Sequence, residues 1–399
     1  MSAGERTELQ QTARRVLAER APMGRVRELL DDSLGYDPIL FSGLVELGWT
    51  GMHLPESAGG SGVAFADTAV VISELGRAVT AGPLVSSAVI AAGGLELSSN
   101  TEQTALLLPA IVDGSTIATV ALAGQGGHCS AAAVGPTWRS ASGGGVVIDG
   151  EATFVLDAAV ADVLIVFARG ESGVVAAVVD RAHPGVSVIP TTTLDQTRRA
   201  ASVHFDAVEV SASSMLAEPH DGAALLAGVV DIGATTMALD SFGIAEIVVE
   251  RTADYVKQRF QFGRSIGSFQ AIKHRLADDV LLVETSRVAV DNAAAAIDLS
   301  GVPLPTRDRV IAVATAKAYV CDAAVTICGD SLQSHGGIGF TWEHDTHLYF
   351  KRAMLNQALF GTSRWHRHRV ADEVLPRSDP SQPRSSTRTQ NPPVLSSKR

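Results

Sequence analysis

The sequence predicts an α+β fold in which a helical segment, a β-rich segment and a second helical segment follow one another along the chain. Three observations predict it. Polar and apolar residues mix at a period of three to four over residues 2–109, short valine-rich runs take over between 117 and 210, and long helical stripes return over 221–375.

The first segment, residues 1–115, reads as an N-terminal helical domain. In the second, residues 116–215, the runs at 146–148, 163–167, 174–179 and 203–210 are broken by Gly, Asp and Pro, the texture of a middle antiparallel β-domain. Ile148-Asp149-Gly150-Glu151 has the chemistry of a tight hairpin turn, because Asp-Gly tolerates the positive φ such a turn requires. In the third, residues 220–375, Ile311, Ala314, Ala318, Cys321, Val325, Cys328 and Leu332 are spaced three and four apart. Leu276, Val280, Val283, Val290, Ala294 and Ile297 keep nearly the same rhythm, and such stripes suit the antiparallel helices of a C-terminal four-helix bundle. Residues 376–399 are rich in Pro and Ser and carry +4 against −15 for the rest, the composition of a disordered basic tail.

Composition narrows the function. A net charge of −11 argues against sequence-independent binding to nucleic acid or anionic membranes. Three cysteines make no disulfide framework, and their spacing suits no zinc site. The first fifteen residues lack the apolar core of a signal peptide, and no apolar run approaches the roughly 20 residues that span a bilayer. A cytoplasmic enzyme is the expectation.

Few local segments carry chemistry. Gly59-Gly60-Ser61-Gly62 follows Pro55-Glu56 rather than a strand, so it reads as a structural loop and not as a dinucleotide fingerprint. Gln333-Ser334-His335-Gly336-Gly337-Ile338-Gly339 ends the clearest helix and suits two roles equally, a helix C-cap or a seat where bare backbone amides approach a phosphate or flat ring. Arg259-Phe260-Gln261-Phe262-Gly263, followed by Gln270, joins two long helices. A guanidinium there suits a pyrophosphate fork and a side-chain amide suits an adenine edge; by itself the arginine reads as an ordinary loop residue. Cys321 and Cys328 fall on the apolar stripe and read as core, and Cys129 has no histidine placed to activate it. His344 and His347 flank Asp345 without a third metal ligand, so no metal site is expected.

Over roughly residues 9–375 the chain resembles the acyl-CoA dehydrogenase family. Three stretches carry the resemblance. They are Gly48-Trp49 with Pro55-Glu56, Gly59-Gly60, Gly62 and Glu74-Leu75-Gly76-Arg77-Ala78; Tyr255, Arg259, Phe262-Gly263, Phe269-Gln270-Ala271-Ile272 and Leu276-Ala277-Asp278; and Gln333, Gly336-Gly337-Ile338-Gly339-Phe340-Thr341, Glu343 and Arg352. The resemblance implies FAD as cofactor, a tetramer built of dimers, and oxidation of an acyl-CoA thioester to the 2-enoyl-CoA, with electrons passed to an electron-transferring flavoprotein. It also implies that Arg259, Gln270, Gln333, Gly336 and Gly337 clasp the AMP half of FAD, with Phe262 in the same signature. Thr362-Ser363 make a further cofactor contact, and Phe154 stacks on the flavin ring.

The departures lie on the ring side. The glutamate base that the family carries directly before the Gly-Thr motif is Phe360 here. The alternative position, thirty residues before Gly263, is Gly233, so the catalytic base is not identified. Leu122-Ala123-Gly124-Gln125-Gly126 and Phe154-Val155-Leu156 replace the family's polar flavin contacts. Two readings follow. One is an acyl-CoA dehydrogenase acting on an acyl-CoA or sterol side chain, homo- or hetero-oligomeric with a second chain of its family. The other is a non-catalytic subunit that completes a partner's FAD site.

Overall fold

The computed structural model describes residues 1–124, 126–142, 144–297 and 306–375; the basic tail expected at 376–399 lies outside them. The chain opens on helices α1 (Ala3–Arg20), α2 (Met23–Leu30), α3 (Pro38–Glu46), α4 (Phe65–Arg77), α5 (Ala92–Glu96) and α6 (Thr101–Val112), with a π-helical stretch at Leu84–Ala91 leading into α5. Their starts are written locally. Ser2 and Glu5 form a reciprocal capping box on α1, Asp37 caps the amides of Ile39 and Leu40 beside Pro38, and Asn100 caps α6.

The middle of the chain forms one sheet of β1 (Ala118–Ala121), β2 (Thr137–Ser140), β3 (Val146–Leu156), β4 (Val163–Gly170), β5 (Gly173–Asp180), β6 (Val186–Pro190), β7 (Ala200–Val210) and β8 (Met215–Ala217). The strand order is β6-β7-β3-β2-β4-β5-β8, with β1 also on β4. The sheet is mostly antiparallel, as the valine runs suggest, but β1 pairs with β4 in parallel, Ala118 opposite Val163.

The Asp149-Gly150 hairpin expectation is wrong. β3 runs straight through these residues, and the extra residue sits instead in its partner β7: Ile148 faces Val208 while Gly150 faces Phe205. The Asp149 carboxylate accepts the Ala207 amide at 2.8 Å, and Ala207 turns to φ +47, so the side chain read as a turn-former stabilises a bulge. A second bulge, in β3 between Ala152 and Val155, turns Phe154 to φ +54.

The C-terminal part is a helical bundle: α7 (Gly222–Gln258), α8 (Gln270–Ala296), α9 (Arg307–His335), α10 (Thr346–Ala358) and α11 (Ser363–Val374). Two short strands, β9 (Phe260–Gln261) and β10 (Arg264–Ser265), make the corner between α7 and α8. α9 packs against the other four helices. Its stripe is the core of the bundle, with Ala314, Ala318, Cys321, Cys328 and Leu332 buried. The α8 stripe is weaker: Val283, Val290 and Ala294 are buried, but Val280 is 48% exposed because this helix packs on one side only. By length and composition α7 and the Arg307–Phe340 segment could cross a bilayer; here most of each apolar window is buried inside the fold.

Candidate functional site

A cavity of about 180 Å³ lies between the sheet and the bundle. Val120, Leu122, Leu156, Leu359, Phe360 and Trp365 give it apolar walls, and Phe154 and Thr362 lie on its border. The second β3 bulge explains the position of Phe154, which stays 40% exposed. The hydroxyls along the wall are occupied by the chain itself. Ser86 donates to Asp157 at 2.6 Å, Thr119 to the Leu156 carbonyl at 2.5 Å, and Thr153 to the Gly124 carbonyl at 2.7 Å. Thr362 caps α11, its Oγ1 accepting the Trp365 amide.

Among the described lining residues there is no carboxylate; the ionisable groups are His128 and Cys129. Burial pushes the Cys129 thiol up to about 11, against the pull of Lys317, so it stays protonated at neutral pH. Of the two family positions for a base, Phe360 sits in this wall and Gly233 lies against its ring. The Phe360 ring rests on Gly233 so closely that a Cβ there would lie 2.4 Å from the ring. Phe360 itself takes φ +53, a conformation that a bulky side chain adopts only when its surroundings impose it. Two buried groups impose it. Lys317 Nζ donates to the carbonyls of Gln357 at 3.0 Å and Gly361 at 2.9 Å, and His366 Nε2 donates to the Phe360 carbonyl at 2.9 Å. Burial pushes Lys317 below its ordinary value and His366 down to about 3, so the imidazole is neutral.

The carboxylates on α7 do not replace the missing base. Asp231 is wholly buried and paired with Arg369 at 2.8 Å and Arg309 at 3.4 Å. Asp240, also buried, takes Arg352 at 2.6 Å, Arg198 at 3.0 Å and the Asn356 amide at 2.6 Å. Burial opposes the charge of Asp240, but Arg352 and then Arg198 outweigh it and hold the carboxyl below the usual range. Glu246 pairs with Arg287 at 2.9 Å. None of the three lines the cavity.

The residues expected to clasp AMP lie at a different place, where α7, α8 and α9 end or begin. Tyr255 stacks on His335 with ring centroids 4.2 Å apart and donates to the His335 carbonyl, tying the end of α7 to the end of α9. Arg259 caps α7 and Gln270 opens α8; Gln333 is in the last turn of α9, followed by Gly336 at φ +65. Phe262, on the corner, is 91% exposed with its edge to Phe269. Ser363 is buried beside the cavity wall, its hydroxyl donating to Asp322.

FAD can be tested against both places. On the AMP side Arg259, Gln270 and Gln333 are exposed, and among the described residues none of their side chains is held by a hydrogen bond. Gly337 has ordinary φ and nothing within 4 Å of an added Cβ, so no internal contact accounts for glycine there; a flat ligand on the backbone would. This half fits. On the ring side, Phe154 offers a stacking face, but the Ser86, Thr119 and Thr153 hydroxyls have no hydrogen left to donate, the Leu156 side chain has none, and Thr362, whose Oγ1 accepts, keeps one. This half is poor in donors.

Sequence reasoning missed the clamp of Lys317 and His366. Lys317 had a readable signal, since it is a charge on the apolar stripe between Ala314 and Cys321. His344, read as a possible ligand, accepts from Thr346 Oγ1 at 2.8 Å, while Asp345 is held by Arg27 at 2.8 Å.

The comparisons with known proteins agree with this architecture. Residues 3–115 match the acyl-CoA dehydrogenase N-terminal domain and residues 220–375 the acyl-CoA dehydrogenase C-terminal domain. The acyl-CoA dehydrogenase IpdE2 of Mycobacterium tuberculosis is 32% identical over 371 residues, covering 93% of this chain and 97% of the relative. The ChsE4-ChsE5 complex of Mycobacterium tuberculosis contains a chain that superposes with a TM-score of 0.85 at 26% identity, covering 95% of this chain and 99% of that one. A steroid ACAD variant, Tcur3481-Tcur3483, superposes at 0.83 with 30% identity, covering 93% and 98%. With helices, sheet and bundle in the family order and both family domains matched, the chain belongs to the acyl-CoA dehydrogenase family of FAD-binding oxidoreductases.

Proposed function

We propose that this chain takes part in FAD-dependent α,β-dehydrogenation of an acyl-CoA thioester as the subunit that holds the AMP half of the cofactor, while a second chain of the family provides the base. The observation that carries this is the Phe360 ring packed on Gly233, which leaves both usual base positions without a proton acceptor. FAD, when bound, supplies the hydride acceptor. Arg259 would fork onto the pyrophosphate, Gln270 and Gln333 would pair with polar edges of the nucleotide, and the bare backbone at Gly336-Gly337 would receive the flat group closely. Phe262 would flank this clasp, and Thr362, Ser363 and Phe154 would border the ring end.

Two of the similar structures are named as two-component assemblies, one of them as a steroid ACAD, and this supports a heteromeric tetramer acting on a bulky acyl-CoA such as a sterol side chain. An electron-transferring flavoprotein or similar acceptor, and a cytoplasmic location, complete the proposal. The test is dye reduction by acyl-CoA thioesters, with the chain alone and then with a glutamate-bearing family partner. Turnover only in the mixture is expected. A missing general base costs ~10²–10⁴-fold, so brisk turnover by the lone chain would overturn the proposal.

A further inference from the structure

The corner between α7 and α8 is basic in an acidic chain. Residues 259–275 hold Arg259, Arg264, Lys273 and Arg275 and no Asp or Glu, although the whole sequence carries −11. Arg275 is paired with Asp330 at 3.4 Å. Arg259 and Arg264 are exposed, and among the described residues neither side chain has a hydrogen bond or an ion pair.

A two-residue hairpin fixes where these two arginines stand. Phe262 and Gly263 both take positive φ, +53 and +77, as the tightest hairpin turns require. The turn pairs Gln261 with Arg264 and Phe260 with Ser265, and the Ile266 amide carries the ladder on to the Arg259 carbonyl at 2.8 Å. Side chains alternate along a strand, and residues paired across it share a face. Ser265 donates its hydroxyl to the Val256 carbonyl at 2.8 Å, so its face is the one turned to α7. Arg259, Gln261 and Arg264 share the other face, with the two arginines diagonal to each other and about 7–8 Å apart.

Arg264 is also held in place. Its guanidinium lies over the Phe269 ring, 4.0 Å from the centroid, and Phe262 meets the same ring edge-on. Stacking of this kind orients a guanidinium and leaves its N–H donors free. Phe269 directly precedes Gln270, so the stacked arginine stands between two residues of the nucleotide clasp. Two like charges on one face repel, and among the described residues no carboxylate pairs with either. A ligand with two adjacent anionic groups would relieve this, each group taking one fork.

We propose that Arg264 is the second cation of the clasp and that the corner selects a diphosphate over a monophosphate, Arg259 and Arg264 each holding one phosphate. The inference rests on the proposal that this chain holds the AMP half of FAD, and it adds a residue and a preference that one arginine would not provide.

The test is isothermal titration of the full chain with ADP and with AMP, as probes of the nucleotide half of the cofactor. ADP should bind more tightly than AMP. Arg264→Gln should weaken ADP binding about tenfold, as loss of one charge-assisted contact requires, and leave AMP nearly unchanged because Arg259 still holds its phosphate. Arg264→Lys, which keeps the charge and loses the fork, should fall between. Equal ADP affinity in Arg264→Gln and the parent, with Arg259→Ala still weakening it, would overturn this inference alone. Equal losses of ADP and AMP in Arg264→Gln would also overturn it, by showing that the side chain only shapes the corner. A parent chain that binds neither nucleotide would overturn the AMP-side proposal as well.

Discussion

The ring of Phe360 fills the space that Gly233 leaves open: a Cβ built on Gly233 would stand 2.4 Å from Phe360 Cδ1. The two residues lie 127 positions apart in sequence, and the ring stands between Gly233 and the cavity that Phe360 lines. Gly233 could carry no side chain while Phe360 stays as it is.

Gly233→Ala should therefore destabilise the chain by about 1–3 kcal/mol, the usual cost of overpacking a well-filled core. In a Phe360→Leu background the same change should cost much less. Urea unfolding of the four proteins in this cycle measures the coupling. Equal costs in both backgrounds would show that the ring contact is not responsible.

Arg259→Ala should weaken FAD binding about ten- to a hundredfold, from loss of a charge-assisted contact worth roughly 1.5–3 kcal/mol. Stability should hardly change, because the side chain is exposed and holds no hydrogen bond among the described residues. Flavin retention on gel filtration, alone and with a partner chain, reads this out. Retention equal to the parent protein would remove Arg259 from the clasp.

Asp240→Asn removes the carboxylate shared by Arg352 and Arg198 and leaves both guanidiniums buried. Breaking a buried pair in this way costs ~3–5 kcal/mol. Scanning calorimetry should show one transition at lower temperature. A loss below about 1 kcal/mol would mean that water reaches the site and screens the arginines.

Asp279, on α8, supplies a pH dependence. Its side chain is 3% exposed and one carboxyl oxygen has no partner among the described residues. Burial, and then the nearby Asp330, push it up to about 7, although Arg275 pulls the other way. The folded state holds this proton more tightly than the unfolded chain does. The favourable contribution is complete below the ordinary aspartate value of 3.8 and is lost as pH rises through about 7. Asp279→Asn should thus raise the melting temperature at pH values above 7 relative to the parent, with little or no gain in acid. A gain of equal size at both ends of the range would point to packing instead.

Periodicity made the helices legible, because a stripe such as Ala314, Ala318, Cys321 and Cys328 buries one face whatever it packs against. The sheet was legible as a zone but not as a topology. Asp149-Gly150 has turn chemistry, and only pairing with β7 decides that it faces a bulge instead. The residues proposed to clasp AMP were legible only through the family motifs, and the fold puts them where α7 and α9 end and α8 begins. The clamp on Phe360 was not, since Lys317 reaches a carbonyl 44 residues away and nothing local marks that partner. Asp231 and Asp240 illustrate the limit from the other side. Both share α7 with Gly233, and only their arginines show them to be structural.

The shared carboxylate of Asp240 has a mechanical consequence. Arg198 reaches it from the residues before β7, Arg352 reaches it from α10, and Arg352 also grips the Thr80 carbonyl just after α4 in the first helical part. A hinge needs a seam that can part without exposing an unpaired charge, and this seam cannot. The three parts of the chain are bolted together at one point. Access to the large cavity must come from local segments, namely the loop of Gly126, Gly127 and His128 and the Phe154 bulge on its border, while the rest stays rigid.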